Sequence, residues 1–175
     1  MEFFTNDFTV TYTNAAAANK AKQIADETFR ALRYDLYSKQ PSIRAADSLT
    51  IEDDVTLTFE EICFDSLDLL DASSKVIKAL AYGMKEETFE FYVRGSDTYT
   101  DGWIEGNYLN GVLEMTNTFF PEGYSTYLHC YECGAEVVLM EDYDPNATYV
   151  CPECGEEIDL SSAAPDIERE TIKIC

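Results

Sequence analysis

Basic residues are scarce in this chain. Twelve Lys and Arg stand against thirty-four Asp and Glu in 175 residues, a formal net charge of −22. A surface of that sign repels phosphate, which argues against direct contact with nucleic acid or an anionic membrane and favours a basic protein surface as partner. No run of about 18 apolar residues occurs, so no transmembrane helix is expected. The opening MEFFTNDFTVTYTN has neither a basic region nor a long apolar run and does not read as a secretory signal. A cytoplasmic location is therefore expected, and six cysteines in a reducing compartment read as metal ligands and single thiols rather than disulfides. The chain also has no G-x-S-x-G, no phosphate-cradling glycine loop and no D-x-D-x-D-G calcium loop. Nothing in it supports catalysis, and a non-enzymatic protein is expected.

What is present is unevenly charged. Residues 1–44 carry six basic residues (Lys20, Lys22, Arg30, Arg33, Lys39, Arg44) and five acidic ones (Glu2, Asp7, Asp26, Glu27, Asp35), a net of +1. The remaining residues hold six basic against twenty-nine acidic, a net of −23. Hydrophobic residues make up 46% and aromatic ones 13%, enough for one core and a small satellite module.

Residues 7–13 alternate Phe8, Val10 and Tyr12 against Thr9, Thr11 and Thr13, the period of a half-buried strand. Asn14 is placed to cap a helix over 15 to about 39, with Ala21, Ile24, Ala25, Thr28, Phe29, Leu32 and Leu36 on one stripe and Pro41 ending it. Residues 49–64 read as strand, with a turn at Asp53-Asp54. A second helix follows, capped by Asp65 or Ser66, burying Leu69, Ser73, Val76, Ile77, Leu80 and Met84, with Gly83 at a left-handed C-cap. Three strands come next, the last two joined at Asn110-Gly111. The order implies a two-layer α+β domain over 1–122: an antiparallel sheet with two helices on one face. On that pattern the segment loosely resembles the ferredoxin-like domains of small phage- and plasmid-borne proteins. Pro121-Glu122-Gly123 marks a boundary. A second module spans 124–160, and a tail, 161–175, ends in ERETIKIC, which alternates and can add a strand somewhere.

Cys130-x2-Cys133 and Cys151-x2-Cys154 have the spacing of a four-cysteine metal site. Each pair is followed by a glycine, Gly134 or Gly155, which can take positive φ while backbone amides point at the sulfurs. The segment resembles a zinc ribbon, the rubredoxin-like module of two knuckles on two hairpins. The resemblance implies one structural Zn2+ per chain held by Cys130, Cys133, Cys151 and Cys154, with iron as the other metal the four sulfurs can take. Four thiolates leave no open position for substrate. With no basic residue between 124 and 160, the module lacks phosphate contacts. His129, beside Cys130, reads as an ordinary histidine, Cys63 as a small buried hydrophobe and Cys175 as a terminal thiol.

The carboxylates cluster as Glu52-Asp53-Asp54, Glu60-Glu61, Asp65-Asp68-Asp71, Glu86-Glu87 with Glu90, Asp97-Asp101 and Glu141-Asp142-Asp144. They fall on the polar phase of their elements, where they either keep the protein soluble or form a partner-binding surface. In character, though not in any motif, the chain is similar to acidic proteins that imitate nucleic acid and block the basic groove of a defence or nucleic-acid-processing enzyme, of the anti-CRISPR or anti-restriction type. On that reading Glu52, Asp53, Asp54, Glu60, Glu61, Asp65, Asp68, Asp71, Glu86, Glu87 and Glu90 meet the partner and the acidic side chains of residues 45–120 form one stripe. The alternative is an adaptor whose zinc ribbon docks through apolar residues such as Val137 or Leu139 onto a larger assembly.

Overall fold

In a computed structural model, the structure describes residues 5–32, 41–59, 66–96, 101–120, 127–130, 132–139, 142, 144, 146–158 and 166–175. β1 (Thr5–Tyr12) turns its Phe8, Val10 and Tyr12 inward, as the alternation requires. Asn14 then opens α1 (Ala15–Leu32), its Oδ1 accepting the Ala17 N–H at 2.9 Å. The helix presents Ala17, Ala18, Ala21, Ala25 and Phe29 to the core.

Pro41 does more than end a helical run. It is the first residue of a short helix, α2 (Pro41–Ser48), where a residue without an N–H leaves no donor unsatisfied. Arg30 ties α2 to α1 by bridging Asp26 (3.0 Å) and Asp47 (2.6 Å). The helices number three among the described residues, against the two expected from sequence.

The expected turn at Asp53-Asp54 joins β2 (Leu49–Glu52) to β3 (Thr56–Phe59). Both aspartates have positive φ, 49° and 64°, the pair of signs that matches the twist of a tight hairpin. α3 (Ser66–Gly83) buries the predicted stripe of Leu69, Ser73, Val76, Ile77 and Leu80, with Met84 just beyond it. Gly83 is not a left-handed cap, since its φ is not among the positive ones. A Cβ there would sit 2.8 Å from Ile24 Cδ1, where α1 and α3 pack together, so the glycine lets the two helices approach closely.

β4 (Phe89–Ser96), β5 (Asp101–Leu109) and β6 (Val112–Phe120) form an antiparallel meander, the last two joined at Asn110 and Gly111, both with positive φ. Two short strands follow, β7 (Tyr127–His129) and β8 (Glu136–Leu139), paired with each other. The tail returns as β9 (Asp166–Lys173), paired antiparallel to β6.

The main sheet has seven antiparallel strands in the order β2-β3-β1-β4-β5-β6-β9. Within it β3 separates β1 from β2, and β1 separates β3 from β4, so each helical crossover skips one strand. α1 and α3 lie over β1 to β5 on one face. The core between the layers holds two aromatic groups: Phe8, Phe29 and Phe59, with Phe8 and Phe59 stacked at 5.0 Å, and Tyr12, Phe89 and Tyr108, each neighbouring pair at 5.3 Å. The opposite face of the sheet carries no helix among the described residues. None of the described helices is long and apolar enough to cross a membrane.

Candidate metal centre and acidic surfaces

The four cysteines converge as their spacing predicts. Each Cys-x2-Cys-Gly segment is closed by the same two backbone bonds. The Gly134 N–H donates to the Cys130 carbonyl (2.8 Å) and the Cys130 N–H to that of Ala135 (2.8 Å). One knuckle on, Gly155 donates to Cys151 (3.0 Å) and Cys151 to Glu156 (2.9 Å). Gly134 and Gly155 both have φ of 75°, a value that favours glycine. β7 and β8 carry the first knuckle. The Val150–Glu157 bridge and the bond from Ile158 N–H to the Tyr149 carbonyl (2.9 Å) frame the second.

This repetition brings all four Sγ atoms within 4.8 Å of one another. Cys130 and Cys154 are 3.6 Å apart, Cys133 and Cys151 3.5 Å. A tetrahedral ion with bonds of about 2.3 Å to sulfur needs S–S edges of about 3.8 Å, so the cluster is positioned to bind a metal ion. Cys130 and Cys151 are buried, while Cys133 and Cys154 face outward. The cluster does not include His129.

The sulfurs do not share charge evenly. Backbone N–H groups of Cys154 and Glu153 pull the Cys151 thiol down to about 6. The Glu156 N–H acts in the same sense on Cys154, yet lost hydration and the other three sulfurs outweigh it and push that thiol up to about 12. Cys133 is also raised, although the Ala135 N–H opposes the shift, because Cys151 and lost hydration favour its thiol form. Cys151 ionises readily while Cys133 and Cys154 resist, the situation a divalent cation relieves.

The module touches the main sheet through Trp103. This indole, on the face of β5 away from the helices, packs against the small core of Cys130, Cys151 and Ile158, together with Val137, Val138 and Tyr149. Nearby on that face Asp101 is buried in a bidentate pair with Arg94 (3.0 and 3.3 Å). Asp101 is thus a structural partner rather than a solvated carboxylate. Val137, expected as an exposed apolar residue, belongs to this small core, and Leu139 is half-buried. Val150 is the exposed one, at 56%.

The acidic residues separate into groups that strand pairing explains. Glu52 pairs with Thr56, Thr56 with Thr11, Thr11 with Glu90, Glu90 with Asn107, Asn107 with Glu114 and Glu114 with Thr171, one row across all seven strands on the open face. The next row runs Thr50, Thr58, Thr9, Tyr92, Glu105, Thr116, Arg169. Between them lies a trough of about 570 Å³ lined by Glu90, Glu105, Glu114 and Arg169.

Asp53 and Asp54, in the β2–β3 turn, and Glu86 and Glu87, between α3 and β4, sit at the same end of the sheet. Burial, and next the Glu87 carboxylate, push the Tyr12 hydroxyl up; burial and then Glu86 do the same to Tyr108. Asp68 and Asp71 do not join this group. They lie in the first turns of α3, whose 18 residues run back toward the end where Glu86 lies, about 27 Å at 1.5 Å per residue. Among the described residues, the acidic side chains expected to form one stripe thus lie at both ends of α3. Glu60, Glu61, Asp65 and Cys63 lie outside the described residues. Glu105, Glu114 and Arg169 were not singled out from sequence; their polar phase is visible there, but their meeting depends on strand order. Compared with known proteins, the chain matches no family model, no curated protein and no solved structure.

Proposed function

We propose that this is a non-enzymatic, acidic binding protein whose open sheet face and acidic end occupy a basic nucleic-acid-binding groove of a partner protein, acting as a nucleic-acid mimic of the anti-CRISPR or anti-restriction type. The observation that carries the reading is the row from Glu52 through Glu90 to Glu114, continued by Asp53, Asp54, Glu86 and Glu87. With strands about 4.8 Å apart, Glu90 and Glu114 stand about 10 Å apart and Glu52 and Glu90 about 14 Å. These spacings are wider than those of successive phosphates, so the mimicry is of a field and a shape, not of individual phosphates. The carboxylates lie on an open face rather than in an enclosed site, which supports binding over catalysis.

The same reading takes the cysteine module as a zinc ribbon with one structural Zn2+, supported by two equivalent knuckles and a closed set of four sulfurs. It takes the first four strands with α1 and α3 as a ferredoxin-like core, supported by their order β4-β1-β3-β2, with β5, β6 and β9 extending it. Location in the cytoplasm belongs to the same proposal.

Capture from lysate at low salt by immobilised protein tests the binding mode. Nucleic-acid-binding proteins should be enriched, released by salt, competed by added nucleic acid and lost with the Glu90→Gln/Glu105→Gln/Glu114→Gln variant. Recovery of none of them at low salt refutes the mimic. The second reading, an adaptor docking through the metal module, is favoured by the exposed Val150; it requires Val150→Asp, and not the glutamine variant, to abolish capture.

A further inference from the structure

β9 ends the main sheet, and among the described residues its outer edge meets no strand. Such an edge presents a row of backbone donors and acceptors that another chain can use. Its pairing with β6 fixes which side chains go where. Asp166, opposite Phe119, Glu168, opposite Asn117, and Glu170, opposite Met115, face the helical side. Glu170 already meets Lys78 of α3 at 3.0 Å; among the described residues Asp166 and Glu168 have no cation within ion-pair distance.

Beside them is a groove of about 360 Å³ between α3 and β9, lined by Leu67, Leu70 and Phe119, with Asp166 and Glu168 at its rim. Leu67 is 52% exposed. Asn117, also in the groove, has a buried Oδ1 with no hydrogen-bond partner among the described residues. The groove therefore offers apolar walls for a stem and, beside the Ser74 hydroxyl, mainly acceptors for its tip: the Asn117 Oδ1 and the carboxylates of Asp71, Asp166 and Glu168. That combination fits lysine or arginine, whose aliphatic chains lie on apolar surface while their heads donate.

A second copy of this chain does not suit the edge. Antiparallel self-pairing about a two-fold axis must place same-face residues opposite each other. The two registers with the greatest overlap then oppose Arg169 to Arg169, with Glu168 to Glu170, or Glu170 to Glu170. Like charges directly opposite destabilise a strand pair, so the edge resists its own copy.

We propose that the edge of β9 takes an extended segment of a partner protein, with lysine or arginine at alternate positions, as an added strand whose basic side chains reach Asp166 and Glu168 beside α3. This surface is separate from the open-face trough, and the inference does not rest on the mimic reading.

The test is fluorescence anisotropy of the full chain with a labelled peptide alternating lysine and threonine. Three comparisons accompany it: the same peptide N-methylated at alternate amides, the Asp166→Asn/Glu168→Gln variant, and the Glu90→Gln/Glu105→Gln/Glu114→Gln variant. The peptide should bind; N-methylation and the Asp166/Glu168 changes should each weaken it about tenfold, and the open-face changes should leave it unaltered. Equal binding of the N-methylated peptide would reduce the effect to charge attraction and overturn the proposal. So would unaltered binding by the Asp166/Glu168 variant, no binding of any peptide, loss with the open-face variant alone, or sedimentation showing a dimer that the peptide does not displace.

Discussion

On the proposed zinc reading, removing the metal should unfold the cysteine module and leave the sheet standing. The module's buried core is Cys130, Cys151 and Ile158, and two of these three belong to the four-sulfur cluster. Burying Ile158 contributes about 2 kcal/mol, against on the order of 10 kcal/mol for a structural metal on four thiolates, so the ion dominates. The layers between sheet and helices keep their own core, from Phe8 and Val10 through Leu80 to Ile174. Trp103, the only tryptophan, packs on the module from the main sheet, which makes it a reporter placed at the junction. A chelator should therefore shift Trp103 emission to the red, and about one equivalent of zinc should restore it, while far-UV circular dichroism retains the sheet signal. Acid should have the same effect. Cys133 and Cys154 are raised, Cys154 to about 12, so both hold protons at neutral pH until the metal displaces them. Affinity thus rises with pH and falls as pH is lowered. Emission unchanged by complete metal removal, or loss of sheet signal in the same step, would refute the reasoning.

Three further outcomes are expected. Gly106→Ala would drive a Cβ into the Glu114 carbonyl oxygen and to 2.8 Å from the Phe91 ring, so urea denaturation should show a loss of about 3 kcal/mol; a loss below about 1 kcal/mol would mean that β5 and β6 part easily. Asp101→Ala removes the bidentate carboxylate side chain, only 8% exposed, that meets Arg94, and should cost about 3 kcal/mol by the same assay. Asn14→Ala removes the cap on α1 and should lower stability by about 1 kcal/mol, whereas a change at exposed Asn19, within the helix, should cost less.

Local chemistry was readable where one residue type decides. Alternation in β1, the stripe on α3, Asn14 as a cap and the turn at Asn110-Gly111 all follow from neighbours within a few positions. The cysteine cluster was equally plain, because two knuckles bring four sulfurs together wherever they fold. What sequence hid was contact between distant segments. Gly83 looked like a cap and is instead a point of close helix packing against Ile24. Pro41 is compatible with ending one helix or starting another, and only the structure chooses. The separation of Asp68 and Asp71 from Glu86 and Glu87 follows from the length and direction of α3, which no count of carboxylates reveals.

The metal module departs from the sheet after β6 and the chain rejoins it at β9, the strand next door. Phe119 and Asp166 stand directly opposite each other, so exit and re-entry are about 5 Å apart. A segment attached at two neighbouring points is a cassette: a tight turn can close the same gap. Removing the module would thus leave the strand order of the sheet unchanged, and Trp103, which packs on the module, would be the side chain newly exposed.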